Sequence, residues 1–305
     1  MAHPKITMER PNPYNGLDWI VAMDEGLFEK EGIEVELIKH GGGKKTDTSI
    51  TDWNKVASNS GHAEAIERGA ANIFNACEWG NYRRSQDTQV GCRQLGRRGA
   101  VVCGAVVVPP WSDVYTPQQL ANKTVAVPFH AGTHYLTMQL LEGFVPDNQI
   151  KVVSSGSPGE RYRAMMAREV DACSVREPWN TVAEKAGCRT IVQGWYNGTD
   201  TATDDIGADT YAALNRALSE AVRHINADKR SYLHYFIELD KASEVQALTI
   251  DDFNLNRIQF IEPGQPIPQW QLMNTYNWMV SKNLIDADHA VEDLINPKVM
   301  ASADD

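Results

Sequence analysis

Residues 100–108, AVVCGAVVV, constrain this chain more than any other segment. A run that is apolar on both faces and rich in valine reads as a strand buried between two layers, as in the middle of a layered α/β sheet. It is too short to cross a membrane, and Pro109 and Pro110 stop it. No other run in the chain approaches the ~20 apolar residues of a membrane span.

Strand and helix signals alternate around this segment. KITME reads as a first strand, PNPYNG as a turn-rich loop, and LDWIVAMDEGLFEKEG as an amphipathic helix ended by glycine. IEVELIKH alternates as a strand does. GGGKKTDTS is a polar loop, either a lid or simply solvated. SNSGHAEAIERG reads as a loop feeding a short helix, and AANIFNACEW as the next strand. A composition break at PPWSDVYTPQQLANK precedes a second set: TVAVPFHAGTHYLTMQLLEGF, IKVVSSG, ERYRAMMAREV, ACSVRE, PWNTVAEKAG and RTIVQGW. From about Gly194 the chain turns helical, with a long helix over TYAALNRALSEAVRHINADKRSYLHYFIE and helix-like KASEVQALTIDDFNLNRIQF and QWQLMNTYNWMVSKNLI. Helices without their own sheet need one to cover, so this tail is assigned to the first unit. The expected organisation is two α/β lobes, residues 1–107 plus 196–305 and residues 108–195.

The net charge of -11 repels phosphate backbones and anionic membranes, which argues against nucleic acid as a partner. Membrane insertion is not expected either, and the expected partner is a small polar or anionic molecule. The first residues carry no apolar signal core, and Cys77, Cys92, Cys103, Cys173 and Cys188 are an odd set without CxxC spacing. Both features point to the cytoplasm, or to the periplasm if a natural leader has been removed. Neither a GxxxxGK[ST] loop nor a dinucleotide fingerprint occurs, and no cofactor is expected. His130 and His134 lack a third ligand nearby in sequence, so no metal is expected. No sequence feature sets the oligomeric state.

The order of the pieces resembles the NMT1/THI5-like and nitrate/sulfonate/taurine-type solute-binding proteins. That superfamily includes the thiamin-precursor synthase and hydroxybiphenyl sulfinate desulfinase enzymes. The resemblance is carried by WIVAMDEGLFEKEGIEVEL, by YTPQQLANKTVAVPFHAGTHY, and by GERYRAMMAREVDACSVREPWNTVAEKAG. It implies a type II periplasmic-binding-protein-like fold, two α/β lobes with a ligand cleft between them and crossing strands at a hinge. It also marks departures. The loop where the desulfinases supply a nucleophilic cysteine reads ERPNPYNG here, and their arginine before the glycine turn is replaced by Ala57 and Ser58. The cysteine-rich segment of the thiamin-precursor enzymes has no counterpart, and Lys55 is the nearest candidate for their cofactor lysine.

Ligand sites in layered sheets sit in loops at strand C-termini, so candidate residues come from there. Asn12, Tyr14 and Asn15 open the first helix, either as anion contacts or as a turn and cap. By the resemblance, Ser60 and Gly61 form an anion-accepting turn. His62 then lies in a first helical turn, where the helix dipole favours the neutral, base-competent form. Cys77 is a potential nucleophile or a buried inert thiol. Glu78 is an acid/base or a partner for His62, and Trp79 is a stacking platform. Thr133 and His134 start another helix that suits a carboxylate or sulfonate, although His134 can also point to solvent. Arg176 can hold an acid bidentately, and Glu177 can receive an amine or fix that guanidinium. The alternative is an internal Arg–Glu pair. Trp195, beside Tyr196, either roofs the cleft or plugs the hinge.

These residues favour a cytosolic hydrolase or lyase acting on a small polar or anionic metabolite, with His62, Glu78 and Cys77 as its chemistry. A transporter solute-binding protein and a soluble ligand sensor are the alternatives.

Overall fold

This computed structural model describes residues 3–39, 49–55, 61–87, 93–287 and 290–296. Strand β1 (Lys5–Glu9) turns Ile6 and Met8 inward. Helix α1 (Pro13–Asp24) begins with proline at its first turn, where a missing N–H leaves no helical bond unmade. After α2 (Leu27–Lys30), β2 (Glu34–Ile38) returns parallel to β1. Asn72 ties this pair to the rest of the lobe. Its backbone N–H donates to the Thr7 carbonyl at 3.0 Å, and its side chain donates to the Lys5 carbonyl and accepts from the Thr7 N–H. Helix α3 (Gly61–Glu67), β3 (Ile73–Cys77) and α4 (Glu78–Asp87) complete this stretch.

Two long strands organise the molecule. β4 (Arg93–Val108) and β8 (Arg189–Ala202) run antiparallel along most of their length. At one end β3 pairs with β8, and β9 (Ile258–Phe260) pairs with β4. At the other, β7 (Ala172–Arg176) joins β4 through Gly104–Val107 and leads in parallel to β5 (Thr124–Val127), which pairs with β6 (Lys151–Ser154). The order is β3-β8-β4-β7-β5-β6. One continuous pair of strands therefore serves two groups of elements. The pairing of β4 with β8 is interrupted by register shifts between Gln94 and Gly96, Arg97 and Val101, and Val106 and Val107.

Helices α5 (Gly132–Glu142), α6 (Pro158–Met166) and α7 (Trp179–Lys185) pack on the β5–β7 group. On the other group, α8 (Ala208–Ala227) buries Leu214, Leu218, Ala221 and Ile225 against α1. Short α9 (His234–Glu238) and α10 (Ser243–Gln246) follow, and α11 (Gln269–Ser281) lies on α4. Between β2 and α3, residues 49–55 reach across to the second group. The Ser154 N–H donates to the Ile50 carbonyl at 3.0 Å, and His130 Nε2 sits 2.8 Å from the Trp53 carbonyl. The expected lid residues before them fall mostly outside the described residues.

Three sequence expectations change. β4 starts at Arg93, ahead of the strand expected at residues 100–108, and β8 continues past RTIVQGW to Ala202, so the basic GCRQLGRRG and polar GTDTATDD stretches contribute strand. Their polar residues Gln94, Arg98, Thr199 and Asp200 are buried, a pattern that alternation alone does not flag. The long helix stops at Ala227, and a 3₁₀ turn separates it from α9. RIQF holds a strand instead of a helix, because it adds to the free edge of β4. Among the described residues, no helix is long and apolar enough to cross a membrane.

Candidate functional site

The site is built where α1, α5 and α6 start and where β3 and β7 end. Arg176, the last residue of β7, places its guanidinium carbon 3.9 Å from the centroid of the Tyr14 ring, a contact from one group of elements to the other. Its Nε is buried with no hydrogen-bond partner among the described residues. Arg161 rises from the first turns of α6. A capping box between Ser157 and Glu160, with Pro158 at the first turn, fixes where that helix starts. Arg161 Nε donates to the Ser174 carbonyl at 2.7 Å and Nη1 donates to the Gly156 carbonyl, which leaves Nη2 unpartnered. The side chain is wholly buried, and burial followed by repulsion from Arg176 pulls its pKa down to about 9. Thr133, in the first turn of α5, presents a buried hydroxyl without a hydrogen-bond partner among the described residues. Tyr196 stands against the same helix start, since a Cβ on Gly132 would meet its Oη at 2.3 Å.

The opposite wall comes from β3 and α4. Cys77 heads α4, and its Sγ accepts from the Gly80 N–H at 3.2 Å. Arg84 folds back along that helix until a Cβ on Gly80 would lie 2.9 Å from Cys77 Sγ and 3.2 Å from Arg84 Nη1. Arg84, Arg98 and Arg176 all act electrostatically on the thiol, yet desolvation dominates and its pKa is raised. It is a buried thiol rather than a thiolate. Arg98 occupies the space a side chain at residue 198 would need, with its guanidinium carbon 2.1 Å from the Cβ position of Gly198. Its charge faces Asp18 and Asp200. Burial raises Asp18 to about 6 against the pull of Arg98, and burial together with Asp18 raises Asp200 to about 8. Asn15 and Asn75 bridge α1 to β3 at 3.4 Å.

Tyr14, Asn15, Cys77, Thr133 and Arg176, all singled out from the sequence, thus converge. Asn12 is exposed at the head of α1, 3.2 Å from the Tyr14 hydroxyl. Ser60 lies outside the described residues. Gly61 and His62 are placed as backbone at the start of α3, and the His62 side chain falls outside the described residues.

The other candidates turn elsewhere. Glu78 accepts from Gln271 Nε2 at 2.8 Å and from the Thr275 side chain, so it anchors α11. Trp79 packs against Tyr135, Tyr196 and Trp278 with ring centroids 5.9, 5.4 and 6.4 Å away, leaving a ligand no open face. Glu177 accepts from the Thr181 hydroxyl at 2.8 Å and pairs with Arg257 at 3.5 Å, rather than fixing Arg176. His134 does not point to solvent. It is fully buried beside Trp53, Phe129 and Tyr135, its Nδ1 accepts from the His130 N–H at 3.2 Å, and burial holds its pKa at about 3. Trp195 is 45% exposed, because strand alternation turns it away from the face that carries Tyr196.

Arg84, Arg98, Arg161 and Asn75 escaped sequence reading. The first two lie in the basic YRRS and GCRQLGRRG stretches. A usable signal was several arginines close to strand ends in an acidic chain. Among the described residues no group of three metal-ligating side chains forms. A separate hollow beyond Tyr14, bordered by Cys103, Glu177, Arg257 and Phe260, is too small for more than a water molecule.

Residues 102–196 match the NMT1-like family. Among solved structures, the alkanesulfonate-binding protein SsuA from Xanthomonas axonopodis pv. citri, bound to MOPS, aligns over 99% of this chain and 98% of its own, with TM-score 0.65 and 14% identity. The periplasmic aliphatic sulphonate-binding protein SsuA from Escherichia coli aligns over 97% and 92%, with TM-score 0.68 and 12% identity. The desulfurization enzyme DSZB aligns over 98% of both chains, with TM-score 0.62 and 12% identity. No curated protein matches the chain in sequence. The likeness read from the sequence holds, and the fold is that of the periplasmic binding proteins. Because the same fold hosts binders and an enzyme, function has to come from the site.

Proposed function

We propose that this chain is a solute-binding protein that closes two lobes, residues 1–107 with 196–305 and residues 108–195, on the acid group of a small organic molecule such as an alkanesulfonate. The observation that carries this reading is the Arg176–Tyr14 contact between the lobes, next to the unpartnered Arg161 Nη2 and Thr133 hydroxyl. Buried donors without acceptors are unfavourable, so a sulfonate or carboxylate at this point satisfies what the protein leaves open. Arg176, Arg161 and the start of α5 hold the acid, Tyr14, Asn15 and Tyr196 enclose the body, and β4 and β8 flex. The two sulfonate-binding neighbours add support.

The hydrolase or lyase reading draws on DSZB and on Cys77 at the head of α4. It has less behind it, since desolvation keeps Cys77 protonated and Glu78 is engaged with α11. A binding role goes with a periplasmic location. The cysteines do not oppose it, because Cys77, Cys103, Cys173 and Cys188 are buried and out of reach of an oxidant.

The test is calorimetric titration with propanesulfonate, followed by mass spectrometry of the recovered ligand. Saturable binding, unchanged ligand after hours, and an affinity at least ~10-fold weaker in Arg176→Gln support the reading, as expected for loss of a charged hydrogen-bonding partner. Conversion of the ligand with loss of its sulfur group would replace the binder with an enzyme.

A further inference from the structure

We infer that the cleft is built for a molecule with two acidic groups, the second held by Arg84 and the start of α4. This inference rests on the binding reading above and extends it to the class of ligand.

The argument is one of charge. Arg161 and Arg176 already face the first acid from one lobe. Arg84 approaches from the other and is 7% exposed, and its buried Nη1 has no hydrogen-bond partner among the described residues. Its guanidinium carbon also lies 5.4 Å from the centroid of the Phe74 ring. A buried guanidinium without a carboxylate is strongly unfavourable unless a counter-charge arrives. Arg84 Nη1 lies beside Cys77 Sγ and the Gly80 amide, at the head of a helix whose dipole also favours negative charge.

Arg84 also shares one electrostatic neighbourhood with the first acid's site. Arg84 and Arg176 both act on Cys77, and Arg84 acts on Tyr135 of α5, across the lobe boundary. The acids that could have neutralised it are committed. Asp87, on the same helix, pairs with Arg83 at 2.9 Å, Glu78 bonds Gln271, Glu177 bonds Arg257 and Thr181, and Asp18 and Asp200 face Arg98. One acid group on the ligand therefore offsets only part of the buried positive charge. A second, a few bonds away, offsets Arg84. The same arrangement disfavours an amine at that end of the ligand.

The experiment compares propanesulfonate with 3-sulfopropanoate, nearly isosteric and differing by one carboxylate, in calorimetric titrations of the parent, Arg84→Gln and Arg84→Lys proteins. The dianion is expected to bind the parent at least ~10-fold tighter, one charge-assisted contact being worth that much. Arg84→Gln should bring the ratio close to one, and Arg84→Lys, which keeps the charge, should retain part of it. Comparable melting temperatures for the two variants separate loss of charge from loss of fold. A parent that binds propanesulfonate as tightly as the dianion overturns the two-acid inference and leaves the binding role standing. A preference that survives Arg84→Gln overturns the assignment to Arg84. Binding of neither compound overturns both readings.

Discussion

Asp200 is buried in the lobe core beside Asp18, Arg98 and Tyr211, and both its oxygens lack hydrogen-bond partners among the described residues. Its pKa of about 8 stands above the ordinary 3.8, so across that interval the folded protein holds a proton the unfolded chain has released. That contribution is complete below the unfolded value and is lost as pH rises to about 8. Asp200→Asn removes the dependence. The variant is therefore expected to gain stability relative to the parent by roughly 1 kcal/mol or more as pH is raised from about 5 to about 9. Urea unfolding at the two pH values checks this. A constant difference would mean that Arg98 keeps the carboxylate ionised throughout. His134 works in the opposite direction, because its lowered pKa means the folded state resists protonation and loses stability as pH falls through the range from 6.5 to about 3.

At the scale of elements, α4 gathers the lobe boundary. Trp79 touches Tyr135 of α5, Tyr196 of β8 and Trp278 of α11, and Trp278 Nε1 donates to Glu142 at the end of α5 at 3.1 Å. A ring enclosed on several sides is a packing residue. Trp79→Ala is expected to lower the unfolding free energy by about 3–5 kcal/mol. If Trp79 were instead a ligand platform, the variant would unfold near the parent and show its defect only in propanesulfonate affinity. Denaturant unfolding and titration of the same sample separate the two.

For the whole molecule, the proposed binding role makes the Tyr14–Arg176 contact the clasp between lobes joined by β4 and β8. Ligand is expected to reduce the radius of gyration of the parent in small-angle X-ray scattering. Tyr14→Leu, which removes an interaction of about 0.5–2 kcal/mol, should weaken propanesulfonate binding by roughly 2- to 30-fold and reduce the contraction at a fixed ligand concentration. An unchanged affinity would show that the clasp does not contribute to the closed state.

The sequence by itself determined the layered α/β architecture, because most of its strands and helices carry their own periodicity. The doubly apolar, valine-rich run at residues 100–108, stopped by two prolines, reads as a central strand, and it is one. It also marked the loops at strand ends, and from them Tyr14, Asn15, Thr133 and Arg176. Tertiary structure decided which polar side chains gather at the proposed cleft and which hold other elements. Glu78, Trp79 and Glu177 stand next to cleft residues in the chain, but their partners Gln271, Trp278 and Arg257 come from the C-terminal third. Arg84 and Arg98 were not singled out in the sequence, since an arginine side chain can reach back a full helical turn or fill the space above a glycine. Only the packing of Gly80 and Gly198 against them shows where those charges lie.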